Sequence, residues 1–348
     1  MKNKINGCWL TVNKQCQMRC KWCYIKGSNY TKEEMDIMLA VKLIDIMYDM
    51  GVNTCKILGG EPSIYSEIIP LLNKIKDKGM KSIVITNGLV YENKEIMSRH
   101  FDAGLTNLII SLKAGSRESY KKLTKTDTYE KVLKSISNLS DFSGGVTITI
   151  AANIENEINK MIEDSLSAGA KFINLHFCSP TVMDFKSNGD YLLSPEKAAS
   201  CLVKAVDFLE KRNAHYNVQI SIPFCLFDPS FLLELIKKDR LTSGCILIKQ
   251  SGIIFDVKGQ AGFCNHLMDF PFGTYGNDFT NAQSLQKLYF GQKEMFSVIN
   301  RAPSTKCLNC PVSNLCCGGC PLKWTCYNPK KHIVGGEKLS ILNENFNK

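Results

Sequence analysis

Sixteen cysteines are the residues of this chain best able to do chemistry, and many stand at short spacings. The first group reads Cys16-Gln-Met-Arg-Cys20-Lys-Trp-Cys23. A loop of this length can wrap three thiolates around one face of a cubane iron–sulfur cluster and leave the fourth iron open. A structural zinc site would need a fourth Cys or His close by, and none follows in the next thirty residues.

A second group, nearer the carboxyl terminus, has seven spaced cysteines, besides Cys317, which adjoins one of them. The chain has no export signal, and in such chains clustered cysteines ligate metals more often than they form disulfides. The second group therefore predicts further metal sites. Its pattern is Cys245, thirteen residues, Gly259, four residues, Cys264 and, after a gap, Cys307-x2-Cys310-x5-Cys316-x3-Cys320 followed by Cys326.

A glycine-rich segment, Gly59-Gly60-Glu61-Pro62, follows a short apolar run that is typical of a strand. Two glycines let a backbone approach a ligand closely and aim carbonyl oxygens at an ammonium group. Glu61 adds a carboxylate to the same place. Alone, the segment is an ordinary turn; one strand after the cysteine loop, it predicts a binding site.

Strand-like and helix-like segments alternate from residue 5 to residue 222 and must position these groups. Helical spacing of apolar residues predicts the first helix at Lys32–Met50, with Thr31 as its N-cap and Gly51 as its stop. The predicted strands are Cys8–Val12, Cys55–Leu58, Ser82–Thr86, Leu108–Leu112, Val146–Ala151 and Phe172–Phe177. The further predicted helices are Ile64–Lys78, Glu92–Phe101, Tyr129–Leu139, Ile154–Ala168 and Pro195–Lys211.

This alternation predicts an α/β fold with a parallel sheet and right-handed crossovers. Six units make a partial (β/α)6 TIM-like barrel, open on one side, with functional loops at the carboxyl ends of the strands. Accordingly, we divide the chain into the partial barrel (residues 1–222), a cysteine-rich domain (223–332) and a polar tail (333–348). We expect the second domain to be held by metal rather than by a large apolar core.

Charge and hydropathy narrow the possible partners. The net charge is +10, but the lysines are spread along 348 residues, so we expect a solvated surface and no nucleic-acid partner. No apolar run reaches the roughly 18 residues that a membrane helix needs. A cytoplasmic location without membrane association is therefore predicted.

The first cysteine loop and the glycine-rich segment together resemble the radical S-adenosylmethionine (SAM) superfamily, with Trp22 at its aromatic position before the last cysteine. The resemblance implies that a cluster held by Cys16, Cys20 and Cys23 passes an electron to SAM. The carbon–sulfur bond then breaks, and a 5′-deoxyadenosyl radical removes a hydrogen atom from a substrate. A flavodoxin or ferredoxin-type protein is the implied electron donor.

The same resemblance implies a set of SAM contacts at the strand ends. Lys113 stands where many relatives carry an acidic pair, and it could bind a carboxylate of SAM or of an acidic substrate. The implied contacts are Trp22, Gly59, Gly60, Glu61, Pro62, Thr86, Asn87, Ser111 and Asn153.

The later cysteines resemble the SPASM extension of some radical SAM enzymes, which holds two auxiliary [4Fe–4S] clusters, so the expected total is three. The resemblance implies two ligand sets. The proximal set is Cys245, Cys264 and Cys320, and its fourth position is open or filled by Cys225 or His266. The distal set is Cys307, Cys310, Cys316 and Cys326.

These resemblances favour an enzyme that crosslinks, oxidises or epimerises a peptide or protein. The alternative is the same chemistry on a sugar, nucleoside or amino acid, while a non-enzymatic metal protein would leave Gly59–Pro62 unexplained. Cys178, at the end of the sixth strand, could return a hydrogen atom to a product radical. Only fifteen residues precede Cys16, so we expect a separate leader-binding partner, peptide binding without one, or a small substrate.

Overall fold

The fold is an α/β arrangement around one sheet of eleven strands, nine of them parallel. The computed structural model describes residues 5–25, 31–181 and 189–342. The strands are β1 (Gly7–Thr11), β2 (Thr54–Leu58), β3 (Lys81–Thr86), β4 (Asn107–Leu112), β5 (Gly144–Ile150), β6 (Ile173–Phe177), β7 (Tyr216–Ile220), β8 (Leu241–Ser243), β9 (Gly252–Phe255), β10 (Gln260–Gly262) and β11 (Gly273–Thr274). Their order across the sheet is β11-β10-β9-β1-β2-β3-β4-β5-β6-β7-β8.

Helices follow most of the parallel strands, as crossover connections require. Among the described residues no helix is long and apolar enough to span a bilayer. The α-helices are α1 (Ile37–Asp49), α2 (Ile68–Asp77), α3 (Lys94–Asp102), α4 (Arg117–Thr124), α5 (Tyr129–Leu139), α6 (Ile158–Ser167), α7 (Pro195–Glu210), α8 (Pro229–Lys237), α9 (Ala282–Phe290), α10 (Lys293–Ile299), α11 (Ser313–Cys316) and α12 (Pro329–His332).

The predicted α/β partial barrel is confirmed: β1 to β6 lie side by side in chain order. In β4, Leu108, Ile110 and Leu112 are all fully buried, and Ser111 between them is buried too. The face with the three apolar side chains packs against α5, whereas Ile109 on the opposite face is only partly buried. The parallel order brings the carboxyl ends of β1 to β6 to one edge, where the loops with the candidate residues emerge.

The predicted start of the first helix is wrong. The N-cap of α1 is Asp36, whose carboxylate accepts hydrogen bonds from the amides of Met38 and Leu39, at 2.9 and 3.2 Å. Thr31 therefore caps no helix. Residues 33–35 are instead extended and paired with the chain after β1, because the amide of Met35 donates to the carbonyl of Val12 at 2.7 Å.

Three parallel strands, the antiparallel strands β10 and β11, and the six helices α4 and α8 to α12 were not among the sequence predictions. The strands β7 and β8 extend the sheet beyond β6, and β9 adds a neighbour to β1 on the other side. Short or polar segments such as Leu241–Ser243 carry little periodicity, so only the neighbouring strand specifies them. The polar helix α4 was missed because its apolar face is narrow, although Tyr120 and Leu123 on it are buried.

The later part of the chain is built onto the same sheet. Because β9 pairs in parallel with β1, the cysteine-rich segment shares its hydrogen-bonded ladder with the barrel. The predicted polar tail is wrong as far as the described residues reach: Ile333, Leu339 and Leu342 are buried, and residues 337–342 lie against α8. These three apolar side chains are buried although most residues of the segment are polar. Residues 343–348 lie outside the described part of the chain.

A buried histidine should make the stability of the fold depend on pH. His100 on α3 bonds through Nδ1 to the hydroxyl of Tyr91 at 2.9 Å, and burial with the nearby Arg99 lowers its pKa to about 4. As pH falls from about 6.5 towards 4, only the unfolded chain takes up this proton, so the unfolding free energy should fall. In this range, each unit by which the pH falls should lower the folding equilibrium constant by up to about tenfold.

The measurement is anaerobic urea denaturation of wild type and His100→Gln across this pH range. The variant should lose less stability on acidification, while removal of the exposed histidine in His215→Gln should leave the wild-type dependence. Parallel curves for wild type and His100→Gln would contradict the prediction.

Candidate functional site

The first cysteine loop leaves the carboxyl end of β1 and is fastened to the end of α4. The amide of Arg19 donates to the carbonyl of Thr124 at 2.8 Å, and the amide of Lys21 donates to that of Leu123 at 3.2 Å. The side chain of Met18 is 1% exposed and anchors the loop from inside. A helix that the sequence reading missed thus fixes the position of the loop.

The three sulfurs of this loop lie close enough to influence one another. Burial raises the pKa of Cys16 to about 11 and that of Cys20 to about 12, and Cys23 contributes to both rises. The positive charge of Lys113 opposes the rise in the pKa of Cys20. The amide of Met18 donates to Cys16 Sγ at 3.4 Å. Clustered, buried sulfurs that accept an N–H hydrogen bond fit an iron–sulfur cluster held by three thiolates.

The glycine-rich segment after β2 pairs along the backbone with the cysteine loop. The amide of Gly60 donates to the carbonyl of Asn13 at 2.8 Å, and the amide of Glu61 donates to that of Gln15 at 2.7 Å. A Cβ on Gly60 would lie 2.3 Å from the Gln15 carbonyl oxygen, so only glycine permits this approach. The two loops therefore form one unit.

Glu61 is a buried carboxylate, 1% exposed, with both oxygens engaged inside the protein. One oxygen accepts from the amide and hydroxyl of Ser63, at 3.0 and 2.6 Å, and from the hydroxyl of Thr86 at 2.5 Å. The other accepts from the amide of Asn87 at 2.7 Å. Burial raises its pKa, and these hydrogen bonds oppose the rise. Glu61 therefore positions its neighbours, and a contact of its carboxylate with SAM stays a prediction.

Asn87, at the end of β3, connects this network to the cysteine loop. Its Nδ2 donates to Gln17 Oε1 at 3.1 Å and lies 3.7 Å from Cys16 Sγ. Its Oδ1 accepts from the amide of Leu89 at 3.0 Å. Of the strand-end residues expected at the cofactor, Asn87 thus contacts the cysteine loop and Thr86 reaches it through Glu61.

Three other expected cofactor residues lie on the same edge. Ser111 is 7% exposed and is the last residue but one of β4. Pro62 begins a short 3-10 turn, and the carbonyl of Gly59 accepts from the hydroxyl of Tyr24 at 3.4 Å. Tyr24 was not among the sequence candidates, although it directly follows the last cysteine of the loop.

Trp22 and Asn153 stand apart from this network. The indole of Trp22 is 8% exposed and packs edge-on against Tyr191, with ring centroids 5.5 Å apart. Asn153 is exposed, with φ of 70°, and its amide donates to the carbonyl of Asp190 at 3.3 Å. Both side chains thus pair with the loop before α7 rather than with the glycine-rich segment.

Cys178 follows β6 at the mouth of the barrel, beside two basic groups. Burial raises the pKa of its thiol to about 11, and Lys323 and Lys113 oppose the rise. Burial and the same two lysines, together with His266, lower the pKa of His176 to about 4. His176 Nε2 bonds to the Thr149 hydroxyl at 2.7 Å. The thiol of the predicted Cys178 therefore lies close to the positive charges of Lys323 and of the predicted Lys113.

Two residues of the later segment complete this barrel mouth. Lys323 is 5% exposed, its Nζ donates to the carbonyl of Cys178 at 2.8 Å, and burial lowers its pKa. Burial and Lys323 lower the pKa of His266 to about 4, and its ring lies 5.9 Å from that of Tyr24. Sequence reasoning missed Lys323, because nothing in its neighbourhood distinguishes it from a surface lysine.

The three cysteines of the predicted proximal set, Cys245, Cys264 and Cys320, lie close enough to influence one another. Burial raises the pKa of Cys245 to about 11 and that of Cys264 to about 12, and Cys320 contributes to both. The amide of Cys320 donates to the carbonyl of Ser221 at 2.9 Å, which fixes it beside the exit of β7. These residues fit a cluster with three protein thiolates.

Cys225 does not lie with the proximal set, which corrects its candidacy as the fourth ligand there. It lies with Cys307, Cys310 and Cys316 around one cavity, whereas Cys326 does not line that cavity. Within the described ranges no three Cys, His, Asp or Glu side chains are arranged to hold a single metal ion. His266 and an open position stay as the alternatives for the proximal set.

Residues 10–167, which include the first cysteine loop and the glycine-rich segment, match the family profile of the radical SAM superfamily. The chain is 25% identical over 317 residues to the probable GTP 3′,8-cyclase of Saccharolobus islandicus, covering 85% of this chain and 95% of that protein. It is 30% identical over 141 residues to the probable GTP 3′,8-cyclase of Methanocaldococcus jannaschii, covering 38% and 45%.

Two solved structures share the fold. One is SuiB of Streptococcus suis bound to the precursor peptide SuiA, with a TM-score of 0.69, 15% identity, and coverage of 94% of this chain and 74% of that one. The other is anSMEcpe with bound AdoMet and Kp18Cys peptide, with a TM-score of 0.67, 16% identity, and coverage of 91% and 89%. The shared architecture spans both the barrel and the cysteine-rich segment.

Replacing any cysteine of the first loop should abolish reductive cleavage of SAM. Cys16→Ala, Cys20→Ala or Cys23→Ala would remove one of three sulfurs that together fit the cluster. The measurement is 5′-deoxyadenosine formed anaerobically with dithionite, and Cys201→Ala, on α7, is the control that should keep wild-type activity. Full deoxyadenosine production by a loop variant would refute the assignment.

Glu61→Gln should weaken SAM binding through its neighbours. The amide keeps the shape of the side chain but leaves buried donors without an acceptor, at a cost of about 1–3 kcal/mol in unfolding free energy. Displacement of Asn87 should then raise the SAM dissociation constant about tenfold or more. Calorimetric titration and denaturation measure both effects, with Glu95→Gln on the exposed side of α3 as control. Unchanged SAM affinity in Glu61→Gln would contradict the positioning role.

Proposed function

Since this chain is a radical SAM enzyme, we propose that it removes a hydrogen atom from a peptide or protein and thereby crosslinks, oxidises or epimerises it. When bound, the first cluster and SAM supply a 5′-deoxyadenosyl radical for this step. We assign the cluster to Cys16, Cys20 and Cys23. The proposed SAM-binding and positioning residues are Trp22, Gly59, Gly60, Glu61, Pro62, Thr86, Asn87, Ser111 and Asn153.

One observation carries the proposal: the cysteine-rich segment is joined directly to the barrel mouth. Lys323, three residues after Cys320, donates to the carbonyl of Cys178 at 2.8 Å. A cluster on the proximal set would therefore stand beside the place where a substrate radical forms. Removing one further electron from that radical oxidises the substrate, and a nearby cluster is a suitable acceptor.

A peptide substrate is supported by the two structural neighbours. SuiB and anSMEcpe each hold a peptide in the structures described above, and this chain shares their architecture over more than nine-tenths of its length. The fold does not fix a substrate, so the support comes from the joint presence of the barrel and the cysteine-rich segment. Cys178 remains the proposed hydrogen-atom donor for an epimerisation.

The charges of the barrel mouth favour a substrate that carries an anionic group. Lys323 is buried with its Nζ bonded to a neutral carbonyl, and Lys113 lies close enough to oppose the pKa rise of Cys178. A buried cation is costly unless an anion pairs with it. We therefore propose that an Asp or Glu side chain or a carboxyl terminus of the peptide binds here.

The second candidate is radical chemistry on a small molecule such as a nucleotide. The curated relatives are probable GTP 3′,8-cyclases, and the similarity covers 95% of the first of them. The same positive charges suit phosphate groups. This candidate keeps the site unchanged and differs only in the molecule that enters it.

Several further parts of the proposal concern partners. We propose three [4Fe–4S] clusters, one that binds SAM and two auxiliary ones. A flavodoxin or ferredoxin-type protein would deliver the electron, and a separate partner could present the leader of a precursor peptide. We place the enzyme in the cytoplasm, where reduced thiols persist.

The substrate class can be tested by following deuterium into 5′-deoxyadenosine. The source organism is grown in deuterium oxide, and its peptide and nucleotide pools are separated and incubated anaerobically with the enzyme, SAM and dithionite. Mass spectrometry should find deuterated 5′-deoxyadenosine with the peptide pool, because the abstracted atom moves to that product. Purified deuterated GTP should give none.

Transfer from GTP or from the nucleotide pool alone would contradict the peptide proposal and support the second candidate. Cys16→Ala is the control for both pools, because without the first cluster neither should yield 5′-deoxyadenosine. Lys323→Met should reduce transfer from the true substrate while leaving the slow cleavage of SAM without substrate intact.

A further inference from the structure

A cavity at the outer end of the cysteine-rich segment is lined by four cysteines. They are Cys225, Cys307, Cys310 and Cys316. Cys225 lies in a short 3-10 turn after β7, more than eighty residues before the other three in the sequence. Only the folded chain brings it there.

The surroundings of this cavity are those of sulfurs that bind a metal group. The amide of Phe224, next to Cys225, donates to Cys316 Sγ at 3.2 Å. Burial raises the pKa of Cys316 to about 12, and the neighbouring Cys225 and Cys310 add to the rise. Burial also raises the pKa of Cys307, again with contributions from Cys225 and Cys310. Mutually close sulfurs, one of which accepts an N–H hydrogen bond, resemble a ligand shell.

The chain beyond residue 332 covers the cavity closely. Gly336 lines it, and a Cβ on this residue would lie 2.2 Å from Cys310 Sγ. The buried Ile333 and Leu339 line it as well. The segment that composition predicted to be a polar tail therefore forms one wall of this cavity.

Cys326 lies elsewhere. It follows the 3-10 turn Pro321–Thr325, and its sulfur is 3.7 Å from the hydroxyl of Thr325. Cys326 acts to raise the pKa of Lys323 and of Tyr327, and Cys178 acts on the same two residues. The positions of the four sulfurs at the cavity thus leave Cys326 outside.

We propose that Cys225, and not Cys326, is the fourth thiolate ligand of the auxiliary cluster held by Cys307, Cys310 and Cys316. The inference rests on the auxiliary clusters of the proposed function and goes beyond them by naming a ligand from a different part of the chain. A cubane is the proposed occupant because four thiolates are the usual ligand set of a [4Fe–4S] cluster, and four cysteines line this cavity. Because Cys225 follows β7, this ligand would link the end of the barrel to the cysteine-rich segment.

The test compares iron loading in three cysteine variants after anaerobic reconstitution. Wild type should hold about twelve irons and twelve sulfides, four for each of three cubanes. Cys225→Ala should hold about eight, while Cys326→Ala and the control Cys201→Ala should hold about twelve. A far-ultraviolet circular dichroism spectrum of Cys225→Ala that matches the wild-type spectrum would show that this variant is folded.

A conservative variant keeps the proposal testable if Cys225→Ala does not fold. In Cys225→Ser an oxygen replaces one sulfur, so the electron paramagnetic resonance signal of one reduced auxiliary cluster should shift, and the signal of Cys326→Ser should not.

Several outcomes would overturn the inference. Twelve irons in wild type and Cys225→Ala, with eight in Cys326→Ala, would refute this ligand and leave the proposed function standing. About four irons in wild type would show that the auxiliary clusters are absent, which would contradict this inference and that part of the proposed function. Eight irons with one zinc in wild type, and loss of that zinc in Cys225→Ala, would refute the cubane.

Discussion

The candidate site depends on one buried carboxylate. Glu61 stands between the loop after β2 and the end of β3, and its two oxygens receive donors from Ser63, Thr86 and Asn87. Burial of a charge is unfavourable unless hydrogen bonds compensate for it. The groups around it are therefore held in one geometry, and Asn87 transmits that geometry to the cysteine loop through Gln17.

Close backbone pairing is the second constraint on the site. Gly60 lies so near the Gln15 carbonyl that a side chain could not be accommodated, which locks the glycine-rich segment against the first cysteine loop. The helix α4 holds the other side of that loop. A site for a reactive radical needs such fixed walls, because a loosely held substrate could react at the wrong atom.

The cysteine-rich segment is an extension of the barrel rather than a separate unit. It shares a sheet through β9 and β1, and Lys323 crosses from it to Cys178. This junction places the positive charges of Lys323 and Lys113 beside Cys178.

The sequence alone determined the parallel α/β barrel and the first cysteine loop, because hydrophobic periodicity and residue spacing are local properties that are written along the chain. The resemblance to the radical SAM superfamily implied that Gly59–Pro62 and Asn87 contact one cofactor, and parallel strands bring their ends to one edge. Tertiary structure alone decided that Glu61 positions its neighbours, that Lys323 enters the barrel mouth, and that Cys225 lies with Cys307, Cys310 and Cys316. Each of these rests on contacts between residues far apart in sequence, which no local pattern records.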